Sequence, residues 1–436
     1  MWLLPIFPAI SRFCLDVFYR VEVDGPRPPS SGPLLLVANH PNSLLDPACV
    51  VAYAERPVRF LAKAPLFAQK DIGWLIRATG SIPVHRRQDD PDRVGENDRT
   101  FRAAEDALLS GSAIGIFPEG ITHDEPQLSV LKTGAARIAL GTAMRNAGAV
   151  PIVPIGLSFP EKAIFRSPAL VVRGAAIEWD DLAGSPPEDT EAVRILTGRI
   201  DAALRSVTLN LERWEDQEIV VGAEAIYAAE TGADPAPTQR LDRLRIATAH
   251  LARLRAAESS AHLELGEGVR RHMHRLQRFG LSPADLVAPA ASGPRSYLEL
   301  GVSGLAASMS HAFSLAGGLI FYPPYWLTGK IQPLFRPDRT AAATYKLLAG
   351  ILLFAAWYAV LVVAAFWTGG VVGGVAAAVA LPALGIATLW MQDRSAEAAR
   401  RAQTGWVLQR RLPALASMRR RQLALANRLA ELIDSS

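Results

Sequence analysis

Leu34-Leu35-Leu36-Val37-Ala38-Asn39-His40-Pro41-Asn42-Ser43-Leu44-Leu45-Asp46 decides how this chain is read. An apolar run of this length, ended by a polar loop, reads as a short buried strand. The loop brings a histidine and a carboxylate together. An imidazole oriented by a carboxylate is a general base for a hydroxyl or a water. Asp46 also precedes Pro47 and a helical run, so it reads as a helix N-cap with proline at the first helical position. The two roles are compatible.

Working outward, strand-like runs fall at 34–38, 58–61, 81–84, 113–117 and 152–157. Helix-like stretches lie between them, at 47–54, 65–78, 99–109 and 133–146. Strands alternating with helices predict an α/β domain with a largely parallel central sheet flanked by helices. In such sheets ligand sites collect at the strand ends. His40, Arg86 and Glu119 each follow a predicted strand, so the fold brings them to one edge although they are far apart in the chain.

Three further segments repeat the strand-then-motif pattern: Gly80-Ser81-Ile82-Pro83-Val84-His85-Arg86, Phe117-Pro118-Glu119-Gly120-Ile121-Thr122-His123, and Val153-Pro154-Ile155-Gly156-Leu157. With the His40–Asp46 loop they form four ordered blocks. This set resembles the glycerophospholipid acyltransferase family, over roughly residues 30–180. Two departures stand out. Five residues separate His40 from Asp46 where four are commonest, and Ile121-Thr122-His123 replaces the common Thr-Arg-Ser. Together with Lys132-Thr133-Gly134-Ala135-Ala136, they resemble the branch of fungal-type glycerol-3-phosphate/dihydroxyacetone-phosphate acyltransferases and bacterial relatives.

The resemblance implies transfer of a fatty acyl group from acyl-CoA or acyl carrier protein to a hydroxyl of glycerol 3-phosphate or lysophosphatidate. His40 is then the base and Asp46 its orienting partner. Arg86 stands where the family carries an acceptor-binding arginine, and a guanidinium grips a phosphate in two places. Glu119 and Gly120 match the acceptor-binding third block; the carboxylate suits a hydroxyl or a cation better than the phosphate. Thr122, His123 and Lys132 are candidates to supply donors in place of the missing arginine. Pro154 and Ile155 match the block associated with the acyl donor, although as residues they read simply as buried strand. No metal and no cofactor is implied, the acyl donor being a substrate.

Bulk properties fit this reading. The chain has 436 residues, a formal net charge of +4, 50% hydrophobic residues and two cysteines, Cys14 and Cys49. Two cysteines build neither a disulfide framework nor a cysteine metal site. Mild basicity suits a membrane surface or a phosphorylated small molecule. Nucleic acid is not a predicted partner, because no basic stripe with interleaved aromatics is present.

The rest of the chain reads as membrane attachment. Residues 1–29 begin with an apolar, proline-broken segment lacking signal-peptide features, read either as a membrane-interface segment or as a helix packed on the domain. The acyltransferase domain is expected at 30–180 and a helical subdomain at 190–290. Residues 297–329 form an apolar segment with Pro323-Pro324 and Tyr322, Tyr325 and Trp326, expected to be interfacial or re-entrant. Leu347 to Gln392 carries no charge, long enough for two transmembrane helices within 345–392, with glycines 369, 370, 373 and 374 at the turn. Basic residues on both flanks put both ends on the cytoplasmic side. Residues 393–436 read as a basic cytoplasmic helical tail, free in solution or on anionic lipid. The expected location is a bacterial cytoplasmic membrane with the catalytic domain facing the cytoplasm. Two other readings stay open: a CoA-independent transacylase acting between phospholipids and lysophospholipids, and a non-catalytic lipid-binding protein on the same fold.

Overall fold

The computed structural model describes residues 2–70, 72–85, 97–146, 148–257, 260–287, 294–335, 338–410 and 413–434. It divides into two units: Met1–Asn210 with Ala236–Leu241 and Pro337–Leu347, and Leu211–Pro235 with Asp242–Arg336 and Leu348–Ser436.

The first unit is built on a seven-stranded sheet. Its strands are β1 (Tyr19–Asp24), β2 (Leu34–Ala38), β3 (Val58–Lys63), β4 (Ile82–Val84), β5 (Ala113–Ile116), β6 (Ile152–Ser158) and β7 (Ser167–Arg173), in the order β1-β7-β6-β2-β5-β3-β4. From β6 to β4 all neighbours are parallel. β7 runs antiparallel to β6, and β1 pairs with β7 in parallel. This antiparallel end was not predicted. The connection between β6 and β7 is too short for the helical crossover a parallel return needs, so β7 comes back as a hairpin partner.

β2 shows why the sheet is central. Leu34 and Leu36 are buried on one face with Leu15, Phe18, Val50 and Val51, contributed by α1 (Phe7–Phe18) and α2 (Leu45–Tyr53). Leu35 and Val37 are buried on the other with Leu108, Ile138, Leu140 and Leu196. Those side chains come from α5 (Asn97–Leu109), α6 (Gly134–Asn146) and α7 (Thr190–Ser206). Two short helices, α3 (Ala64–Ala68) and α4 (Gly73–Ala78), link β3 to β4. Alternate side chains of an apolar run therefore feed two cores, as a strand covered on both faces requires.

The amino-terminal segment takes the packed option on one side: α1 buries Leu15 and Phe18 in the sheet core while leaving Ile10 and Phe13 exposed. α7 also belongs to this unit, with Leu196, Ile200 and Leu204 buried against the sheet and Asp189 capping its first turn. The first segment of this unit runs to Asn210, beyond the 30–180 expected for the domain.

The second unit is helical: α8 (Asp216–Thr231), most of α9 (Pro237–Ala256), α10 (Ser260–Arg278), α11 (Pro283–Val287), α12 (Pro294–Ile331), most of α13 (Ala342–Gln409) and α14 (Pro413–Asp434). Ile226, Val269 and Leu425 bury a core among α8, α10 and α14. The carboxy-terminal tail is therefore packed: α14 places Gln422 in this bundle, bonded to Glu230 and His272. Its apolar face, with Met418, Leu425 and Ala426, is buried within this helical unit.

α13 is, among the described residues, the one helix long and apolar enough to cross a membrane, with a mean hydropathy of 2.5 in its most apolar window. It is interrupted at Gly370, whose φ of 63° and ψ of −158° lie where only glycine is at ease. Gly317, Ile320 and Phe321 of α12 meet Thr388, Trp357 and Phe354 of α13.

Candidate active site

The parallel strands end on one edge of the sheet, and the sequence motifs follow them there. His40 lies just beyond β2, Glu119 just beyond β5, and His85 just beyond β4. Arg86, the predicted phosphate-binding arginine, lies outside the described residues.

His40 Nδ1 is 2.8 Å from Asp46 Oδ2. The same carboxylate oxygen accepts the backbone N–H of Asn42 at 2.6 Å. Asp46 is fully buried, whereas the His40 side chain keeps 19% of its surface exposed. Burial pushes the Asp46 carboxyl above the usual carboxylate range, and hydrogen bonds from His40 and Asn42 offset part of that rise. With Nδ1 given to Asp46, Nε2 is the ring nitrogen placed to take a proton from a substrate. The ring lies flat on Phe117, 4.1 Å between centroids at 11°, which fixes its remaining degree of freedom.

Asp46 is not the N-cap. Helix α2 begins one residue earlier, Leu44 caps it without a side-chain bond, and the Asp46 carboxylate turns back to the loop instead of onto the helix ahead. Within this loop Ser43 adopts φ 50°, uncommon for a residue with a Cβ.

Glu119 is buried, and both its oxygens are engaged within the protein. Oε1 accepts the backbone N–H of His40 at 3.0 Å. Oε2 accepts Ser129 N at 2.8 Å and faces Nε2 of His123. Nδ1 of His123 accepts Glu125 N at 3.2 Å, so both nitrogens of that ring are occupied too. Glu119 and His123, expected on the acceptor side, thus make these bonds inside the protein, Glu119 holding the backbone of His40, as a buried carboxylate requires.

Gly120 turns at φ 71°, and a Cβ there would sit 3.4 Å from Lys132 Cγ. Lys132 is exposed, its backbone N–H bonded to Pro118 O at 2.7 Å; Thr122 is half-buried. These two line the outside of the third block, where a ligand can reach them. Pro154 and Ile155 are buried within β6, Ile155 at 0% exposure, so they shape the sheet and present no side chain to an open site. Gly156 beside them has a steric reason: a Cβ would fall 1.8 Å from Val207 O.

Sequence reasoning missed three contacts. Asn39 grips Leu157 twice, Nδ2 donating to its carbonyl at 2.9 Å and Oδ1 accepting its N–H at 2.7 Å, which joins the first and fourth blocks. Asn42 Nδ2 donates to Tyr19 Oη at 3.1 Å. Lys162 donates to Pro41 O at 2.9 Å and pairs with Asp124. Asn39 was legible as part of the loop; the other two partners stand beside no motif. Among the described residues no cluster of His, Cys, Asp and Glu is arranged to hold a metal ion.

A buried carboxylate thus meets an imidazole at the strand ends of the parallel part of the sheet, an arrangement suited to proton transfer. Residues 20–158 match the family model described as Acyltransferase. Over these residues the chain is similar to the glycerophospholipid acyltransferase family. The chain is 34% identical over 135 residues to Glycerol-3-phosphate O-acyltransferase 2 of Saccharomyces cerevisiae, covering 30% of this chain and 18% of that protein. It is 26% identical over 318 residues to an uncharacterized acyltransferase of Schizosaccharomyces pombe, covering 52% and 46%. A 1-acyl-sn-glycerol-3-phosphate acyltransferase of Chlamydomonas reinhardtii is 30% identical over 141 residues, covering 32% and 40%. The chain thus spans less than half the length of each of these relatives.

Proposed function

We propose that this protein is a membrane-bound acyltransferase of phospholipid synthesis. It moves a fatty acyl group from acyl-CoA or acyl carrier protein to a hydroxyl of glycerol 3-phosphate or lysophosphatidate. The observation that carries this is the 2.8 Å pair between His40 and a fully buried Asp46. Nε2 of His40 takes the proton of the acceptor hydroxyl as its oxygen attacks the thioester carbonyl. The tetrahedral intermediate collapses, the C–S bond breaks, and the thiolate leaves with the proton returned by the imidazolium. Asp46 stabilises the imidazolium in between. Glycerol 3-phosphate is the preferred acceptor, because the yeast relatives named for it reach 34% identity and the 1-acylglycerol-3-phosphate relatives 25–30%.

The apolar stretch of α13 is the anchor. Twenty residues of straight helix would span about 30 Å, yet Tyr358 Oη is 2.9 Å from Ala378 O. That contact supports two antiparallel arms reversing at Gly370, a transmembrane hairpin with both ends on the cytoplasmic side. Arg394 stacked on Trp390 at 3.9 Å and Lys330 over Trp326 at 5.9 Å suit the headgroup region. α12, which meets both arms, lies at that same interface.

The test is acyl transfer by membranes containing wild type or His40→Ala. Labelled palmitoyl-CoA is offered with glycerol 3-phosphate and, separately, with lysophosphatidate. Product formed with one acceptor by wild type, and reduced about 10²–10⁴-fold in the variant, is the expected result. Equal product from both proteins rules out His40 as the base.

A further inference from the structure

We propose that Lys162 is a positioning residue for the catalytic loop, holding His40 in place from the side opposite Glu119; the inference rests on the reading of His40 as base. Lys162 lies in the connection between β6 and β7, outside all four sequence blocks. Its ammonium donates to Pro41 O at 2.9 Å, the carbonyl directly after His40. It is paired with Asp124, the residue directly after His123. One side chain therefore bridges the first block and the residue that follows the third.

The same residue holds the loop a second time through its backbone. Lys162 O accepts Tyr19 Oη at 2.5 Å, and Tyr19 Oη accepts Asn42 Nδ2 at 3.1 Å. Pro41 and Asn42 are thus both tied to residue 162, one through the ammonium and one through the carbonyl. The neighbouring carbonyl, Ala163 O, accepts Lys346 Nζ at 2.8 Å, which fixes this connection to the first turns of α13.

The loop needs such ties. It carries one residue more than the commonest spacing and places Ser43 at φ 50°. A residue in that region is strained and persists only where the surroundings over-determine it. Glu119 holds the N–H of His40 on one side; Lys162 holds the carbonyl of Pro41 on the other. Two facts separate this from an ordinary surface ion pair. The Lys162 side chain is only 16% exposed, and its second bond goes to the loop that bears the base. Asp124 balances the ammonium, so the cation serves the frame and does not stand open to a substrate phosphate.

The experiment measures steady-state transfer by the full chain in membranes, with palmitoyl-CoA and the acceptor that wild type uses. Lys162→Met, Lys162→Arg and Asp124→Asn are compared beside His40→Ala. Lys162→Met is expected to lower kcat about 10–100-fold, the scale of a misplacement near 1 Å, with both KM values within about twofold. Lys162→Arg, which keeps the cation and can reach both oxygens, restores most of kcat; Asp124→Asn gives an intermediate fall. A wild-type kcat in Lys162→Met overturns the proposal. So does a raised KM for the acceptor at unchanged kcat, which makes Lys162 a substrate cation instead. If Lys162→Met does not accumulate in membranes, the other two variants carry the test: an Asp124→Asn kcat equal to wild type at an unchanged melting temperature overturns it equally. Activity retained by His40→Ala overturns the parent reading, whatever the Lys162 variants do.

Discussion

Glu119 Oε1 lies 3.0 Å from the backbone nitrogen of His40. A carboxylate in the third block thus fixes the main chain of the histidine in the first, joining the ends of β5 and β2. Glu119→Gln keeps the size but turns an amide NH₂ toward a donor, either His40 N or Ser129 N. A buried donor left unpaired costs about 1–3 kcal/mol. The expected outcome is a melting temperature several degrees lower and a reduced kcat with an unchanged KM for the acceptor. A raised KM at unchanged kcat would show that Glu119 touches the acceptor directly.

Asp46→Asn separates stability from activity. The Asp46 carboxyl is held above the usual carboxylate range in the folded protein, chiefly by burial. The folded state therefore binds its proton more tightly than the unfolded state. This ionised group weakens the fold above its folded pKa, and the cost fades as pH falls toward the ordinary carboxylate value. Asparagine carries no charge to bury. At neutral pH the variant should melt at or above the wild-type temperature, the difference shrinking in acid, while transfer falls by orders of magnitude because the imidazole loses its orienting partner. Melting curves at pH 7 and pH 4 with one activity assay decide it; a variant less stable at pH 7 contradicts the account.

Gly156→Ala should be costly although it adds a single methyl group. The new Cβ would fall 1.8 Å from a backbone carbonyl, Val207 O, which cannot swing away as a side chain can. Overpacking of this kind costs about 1–3 kcal/mol or more. A clear drop in melting temperature is expected, larger than for Gly184→Ala, where nothing lies within 4 Å. Equal melting temperatures would show that the backbone at Val207 yields.

Topology is tested with single cysteines in a chain whose Cys14 and Cys49 are replaced. Arg339→Cys and Arg400→Cys should react with a membrane-impermeant maleimide from the same side of sealed vesicles. Thr368→Cys, next to the Gly370 reversal, should react only from the other side. Labelling of positions 339 and 400 from opposite sides refutes the hairpin.

The central parallel strands were legible because an apolar run followed by a polar motif is a strong local signal, repeated at β2, β4 and β5. β1 and β7 were not, since their place depends on a short connection whose direction no pattern encodes. The His40–Asp46 pair was legible because both partners sit on one loop. The inward turn of Glu119 and His123 was not: a motif names the residue, while its direction is set by Ser129 N and His40 N, donors supplied from other parts of the chain. Lys162 was invisible for the same reason, its partners lying in the first block and directly after the third.

That Glu119 spends both oxygens inside the protein has a practical consequence for anyone wishing to change what the enzyme accepts. The third block divides into a half that must be kept and a half that can be varied. Phe117, Glu119 and His123 hold His40 in place, so a library that randomises them disturbs that frame. Thr122 is half-buried and Lys132 exposed. Diversity spent on those two positions tests new acceptors on an intact catalytic frame.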